Sequence, residues 1–86
     1  MFIYQYKLTD GQIFSIPEGH FKLKFAYIGC NLYLWASVNP QSKNTLCYKV
    51  HVTYTGESVS HLLSHQHSMI DGDGRMAHVF FESVHV

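Results

Sequence analysis

The strongest constraint in this chain is an alternation of apolar and polar side chains with a period of two, repeated in short segments and cut by turn-forming residues. Such alternation sends successive side chains to opposite faces of a β-strand. It is clearest from Leu46 onward, where Leu46, Tyr48, Val50, Val52 and Tyr54 fall on one face and Cys47, Lys49, His51, Thr53 and Thr55 on the other. Gly56 ends that segment. Near the start, Phe2, Tyr4, Tyr6 and Leu8 alternate with Ile3, Gln5 and Lys7. Thr9-Asp10-Gly11 then supplies turn chemistry, which predicts a first hairpin returning from Gln12 to Ile16. Pro17-Glu18-Gly19 interrupts the return, because Pro has no N–H for the ladder and Gly accepts positive φ.

Beyond that break, strict alternation predicts that Phe21, Leu23, Phe25 and Tyr27 point one way and Lys22 and Lys24 the other. Gly29-Cys30-Asn31 reads as a tight turn into segment 32–38, where apolar and aromatic residues occupy both faces. A strand covered on both sides, at the centre of a sheet, is the expectation there. The polar stretch 39–44 is an exposed loop, and 57–63 fits either one helical turn or a loop. Segments 65–70 and 76–84 read as the last two strands, joined by the hairpin signal Asp71-Gly72-Asp73-Gly74. The expected fold is all-β: a small antiparallel barrel or sandwich of six to seven short strands with at most one short helical turn, forming a single domain over 1–86.

Composition narrows the function classes. A chain of 86 residues buries roughly 60 to 65% of its unfolded surface, so the core is thin and self-association would supplement it. Charged residues are only 14% of the chain, against about 25% in ordinary globular domains. Six basic and six acidic side chains cancel, leaving no long-range field for nucleic acid or an anionic membrane. No apolar run approaches the ~20 residues that span a bilayer, and the first residues lack the order of a secretory leader. Cys30 and Cys47 are too few for a disulfide scaffold, so reduced thiols in an intracellular setting are expected. Seven histidines make the charge depend on pH, adding positive charge below pH ~6.5.

Four constellations could carry chemistry. His61, His65 and His67 are the candidate metal ligands: on a regular strand His65 and His67 share a face, with His78 across the last hairpin and Cys47 as a distant fourth donor. Their spacing matches no standard zinc module, and histidines on a solvated strand are the plainer reading. Asp71-Gly72-Asp73-Gly74 with Glu82 resembles a calcium loop, but Arg75 takes a ligand position and Met76 the place of the required glycine. A thiol nucleophile at Cys30 or Cys47 finds no accompanying signature, so no enzyme and no cofactor are expected. Lys24, Lys49, His51, Tyr33 and Trp35, with Lys22, form the candidate interaction set: a basic, aromatic sheet face that could contact a protein or stack single-stranded bases. The plainer reading is solvated lysines and a core tryptophan, and zero net charge disfavours nucleic acid.

Leu34-Trp35-Ala36-Ser37-Val38-Asn39-Pro40 resembles the Leu-Trp-Ala-x-Val-Asp-Pro segment of a family of small proteins from tailed bacteriophages and prophages. Tyr4-Gln5-Tyr6-Lys7-Leu8, the run from Gln12 to Gly19, Thr55-Gly56 and His78-Val79-Phe80-Phe81-Glu82 are similar to other parts of it, so the likeness covers nearly the whole chain. The stretch 57–66, which holds three histidines, departs from the pattern and gains nothing from it. The resemblance implies a viral gene product in the cytoplasm of an infected bacterium and supplies no catalytic residues. The reading that follows is a non-catalytic phage accessory protein that binds a host protein or another copy of itself. A small-ligand or metal-binding module at the histidine-rich region is the alternative, and a single-strand nucleic-acid binder the third.

Overall fold

The computed structural model describes residues 1–60 and 62–84. Seven strands form in chain order: β1 (Phe2–Leu8), β2 (Ile13–Pro17), β3 (Phe21–Ile28), β4 (Asn31–Val38), β5 (Thr45–Tyr54), β6 (Ser64–Ile70) and β7 (Met76–Val84). All pairings are antiparallel, in a three-stranded sheet ordered β1-β4-β3 and a four-stranded sheet ordered β2-β5-β7-β6. The two sheets pack as a sandwich, and the described residues contain no helix. Segment 57–63, which also suited a helical turn, is loop in its described part.

The core lies between the sheets. Leu32, Leu34, Ala36 and Val38 of β4 alternate inward and are buried, facing Phe14 and Ile16 of β2, Val50 of β5, and Val79 and Phe81 of β7. Phe81 gathers the aromatic contacts, lying 5.2 Å from Phe14, 5.3 Å from Tyr48 and 6.0 Å from Phe25 between ring centroids. The inward set of β5 is the one its alternation predicts, since Tyr48 pairs with Phe14, and Val50 and Val52 pair with Phe81 and Val79.

The first hairpin does not form. β1 pairs with β4 and β2 with β5, so the turn at 9–12 carries the chain from one sheet to the other. Its cause is a clasp on β5. Gly11 N–H donates to the Val50 carbonyl (2.7 Å), Val50 N–H donates to the Gln12 carbonyl (2.8 Å), and Val52 N–H donates to Asp10 Oδ1 (2.9 Å). Three bonds to a distant strand outweigh the local hairpin pairing that the turn residues would otherwise allow.

β3 also departs from strict alternation. A bulge between Lys22 and Lys24 inserts Leu23 as an extra residue against β4, and such an insertion reverses the side to which the preceding residues point. Phe21 pairs with Ser37 on the outer face, whereas Lys22 pairs with Ala36 on the inner one. The Lys22 amine lies over the Tyr48 and Phe81 rings, 6.0 and 5.8 Å from their centroids. Phe25 and Tyr27 remain inward as expected.

The β3–β4 and β6–β7 hairpins meet at one end of the sandwich. Gly29, at φ 64°, occupies the first central position of a two-residue turn, where positive φ matches the strand twist. Gly72 of the opposite hairpin lies directly on the Gly29 carbonyl. A methyl group at Gly72 would collide with that backbone oxygen, so Gly72→Ala forces the two hairpins apart. The expected cost is about 1–3 kcal/mol, read in urea titration or as a melting temperature lowered by roughly 4–8 °C per kcal/mol.

Candidate interaction face

β4 is central in its sheet but covered on one side only. Its odd-numbered residues Tyr33, Trp35 and Ser37 point away from the core and are half-buried. Register assigns their neighbours: Trp35 stands between Gln5 and Lys24, Tyr33 between Lys7 and Ala26, and Ser37 between Ile3 and Phe21. The Tyr33 and Trp35 rings lie 5.9 Å apart, tilted by 38°. Around them Ile3 is 67% exposed, Phe21 69% and Ile28 57%. An antiparallel sandwich strand ordinarily shows polar residues on its solvent side. This face instead presents aromatic and branched apolar side chains with two amines, Lys7 and Lys24, and none of its described residues is a carboxylate.

The remaining members of the predicted interaction set lie elsewhere. Lys49 and His51 project from β5 onto the outer face of the four-stranded sheet, on the far side of the sandwich from Trp35. His51 Nε2 sits 2.9 Å from Glu82 Oε1. Tyr33, Trp35 and Lys24 therefore share one surface, Lys49 and His51 another, and Lys22 neither. A single basic and aromatic face built from all six is not assembled, because the chain distributes them over both sheets.

The histidine set divides for the same reason that β3 does. A bulge between His65 and His67 makes Gln66 the extra residue, so His65 pairs with Phe80 on the outer face and His67 with Val79 on the inner one. The expected shared face is lost: His67 stacks on Phe25 (5.8 Å), whereas His65 packs edge-on to Phe80 (5.2 Å). His61 lies outside the described residues. His65 Nε2 and His78 Nδ1 both hydrogen-bond Ser68 Oγ, at 2.8 and 2.7 Å, and His78 Nε2 reaches Thr55 Oγ1 at 3.0 Å. Among the described residues no group of three or more His, Cys, Asp or Glu side chains could hold a metal ion. Cys47 is 3.3 Å from Ser15 Oγ, and Cys30 is exposed at the β3–β4 turn.

One feature escaped the sequence. At the end where the hairpins meet, an open cleft of about 350 Å³ is bordered by Asp10, Tyr27, Cys30, Tyr54, Asp71 and Arg75, among others. Asp71 organises its rim: Oδ1 accepts N–H bonds from Asp73 and Arg75, both at 2.9 Å. The Arg75 guanidinium lies 4.2 Å from the Tyr54 ring centroid. The Asp71 carboxyl is held below its ordinary value, first by the Arg75 N–H, then by the Asp73 N–H, the Tyr54 hydroxyl and the Arg75 charge, against some opposing desolvation. Burial, followed by the neighbouring Asp71, pushes the Tyr54 hydroxyl up. The Asp-Gly-Asp-Gly motif announced the turn, but nothing local announced that two tyrosines from β3 and β5 would close on it.

Taken together, the fold and this face define a small antiparallel β-sandwich whose outer surface on one sheet is aromatic, apolar and basic. The family model of the domain of unknown function DUF7352 matches residues 1–85, and the chain belongs to that family. No curated protein and no solved structure matches the chain.

Two expectations separate surface from core. Ile3→Ser and Phe21→Ser should each alter stability by no more than about 0.5 kcal/mol, as surface changes do. Leu34→Ala, in the buried row on the other side of β4, should cost about 2–5 kcal/mol in the same denaturant titration. The loop at Asp71 carries a pH signature. Because its folded pKa is depressed, the stability it contributes is present above the ordinary carboxylate range and lost as pH falls through the folded value. Asp71→Asn should lower the melting temperature at pH 7 and flatten its decline below about pH 4, measured by circular dichroism across pH 2–7.

Proposed function

We propose that this chain is a non-catalytic accessory protein of a tailed bacteriophage that works in the cytoplasm of the infected host by binding a host protein through the outer face of β1, β4 and β3. The observation that carries the reading is the outward row of Trp35 and Tyr33, bordered by exposed Ile3, Phe21 and Ile28. Exposed contiguous apolar surface marks interaction sites, and Trp and Tyr at the centre of such a patch supply most of the binding energy in characterised interfaces. Lys7 and Lys24 beside the aromatic pair, with no carboxylate among the face's described residues, fit a partner whose apolar surface is rimmed by acidic side chains. The viral and cytoplasmic setting rests on the similarity of the segment from Leu34 to Pro40 and its flanking segments to phage and prophage proteins.

The test is affinity capture from bacterial lysate with four baits: wild type, Trp35→Ala, Lys24→Glu, and Lys49→Glu as a control on the opposite sheet. The expected result is one stoichiometric protein retained by wild type and Lys49→Glu and lost by the other two. With that protein purified, Trp35→Ala should raise Kd at least about 30-fold, the hot-spot range, and Lys24→Glu should weaken the dependence of association on salt. Equal capture by wild type and Trp35→Ala overturns the assignment of this face.

A further inference from the structure

Four strands lie at sheet edges, and three carry features that block further pairing. β2 is five residues long and ends in Pro17, which offers no N–H. β3 is bulged between Lys22 and Lys24 and bears both lysines. β6 is bulged between His65 and His67. Short length, proline, lysine and bulges are the devices by which proteins keep edge strands from recruiting other chains. β1 carries neither a proline nor a bulge: its seven residues pair with β4 in unbroken register, and its single lysine, Lys7, lies towards its C-terminal end. Among the described residues no strand pairs with its other side. Its first residues are exposed on both faces, with Phe2 at 58% and Tyr4 at 42% on the inner side and Ile3 on the outer.

We infer that the unprotected edge of β1 is a homodimer interface, in which β1 pairs antiparallel with β1 of a second copy, Tyr4 opposite Tyr4, to join two three-stranded sheets into one of six. This occupant follows from the strand's self-complementarity. In that register Phe2 stands opposite the second copy's Tyr6 and Ile3 opposite its Gln5, so each inner-face pair is aromatic and Lys7 stays away from the two-fold axis. Aromatic cross-strand pairs directly opposite one another are among the more favourable ones in antiparallel sheets, and like charges there are unfavourable. A two-fold axis perpendicular to the sheet keeps both four-stranded sheets on the same side and leaves both Trp35 faces open. The inference concerns the edge of the sheet and the proposed function its face, so each can fail alone.

The test combines sedimentation equilibrium with site-directed cross-linking. Wild type should sediment as a dimer in the micromolar range, and Tyr4→Lys, which places two ammonium groups opposite each other, should sediment as a monomer with an unchanged far-ultraviolet dichroism spectrum. On a Cys30→Ser, Cys47→Ser background, Tyr4→Cys should form an intermolecular disulfide under mild oxidation, since the Cα atoms of directly opposed antiparallel residues lie about 4.5–5.5 Å apart, within the Cα range of a disulfide. Lys24→Cys, on the bulged edge, should not. A monomeric wild type, a dimer that survives Tyr4→Lys, or cross-linking of Lys24→Cys as fast as of Tyr4→Cys overturns the inference. Trp35→Ala should leave the dimer intact, and Tyr4→Lys should leave Trp35-dependent capture intact, so the two readings are scored separately.

Discussion

The structure depends on β5 being claimed from both sides. Its inward row of Leu46, Tyr48, Val50, Val52 and Tyr54 pairs with β2 on one edge and β7 on the other. The 9–12 segment then fastens to it through Asp10, Gly11 and Gln12. That clasp decides the topology. Once Gly11 and Gln12 bond Val50, β2 must enter the second sheet, and β1 is left to find β4. Sandwich closure therefore follows from three polar contacts at one corner, while the burial of Leu34, Val38, Val50 and Val79 supplies the driving force.

How much of this was legible depends on what each feature requires. The strands, the hairpin turns at Gly29 and Asp71, and the inward row of β5 are local properties of period and turn chemistry, and they read correctly. Partner choice is non-local. Thr9-Asp10-Gly11 has hairpin composition, yet its use as a crossover depends on where Val50 lies, forty residues along the chain. Bulges are the second blind spot. Leu23 and Gln66 look like ordinary strand residues, and only register against a neighbour shows that each is an extra residue. One bulge turned Phe21 outward and Lys22 inward, and the other parted His65 from His67. The candidate sites suffered most, because sharing a face is a statement about parity and a single inserted residue inverts it.

The bulges also explain where charge resides. Turning Lys22 inward places its amine over Tyr48 and Phe81, and desolvation there lowers its pKa. Lys24, by contrast, stands beside Trp35 in solvent. The six carboxylates lie elsewhere: Asp10, Asp71 and Asp73 at the hairpin end, Glu82 with His51 on the opposite sheet, Glu18 in the turn after β2 and Glu57 in the turn after β5. A chain of zero net charge thus presents one sheet face bearing amines alone. Neutral totals conceal such segregation, which is why composition gave no hint of it.

Apolar content sets the last condition. At 47% apolar in 86 residues, the chain carries more such side chains than a sandwich this thin can enclose: among the described residues, twelve apolar ones are buried and twelve large ones are exposed. Random overflow would scatter the exposed set over all strands and loops. Instead six of those twelve, Phe2, Ile3, Tyr4, Phe21, Leu23 and Ile28, belong to β1 and β3. These are the two strands flanking β4, whose own outward residues include Tyr33 and Trp35. On the four-stranded sheet, the outward positions of β5 hold Cys47, Lys49, His51 and Thr53. Apolar side chains reach the outer surface of both sheets, Ile3, Phe21 and Ile28 on one and Ile13, Ile70 and Met76 on the other, but the three-stranded sheet sets Tyr33 and Trp35 between its own, and the bulge that turns Lys22 inward delivers Phe21 to that surface.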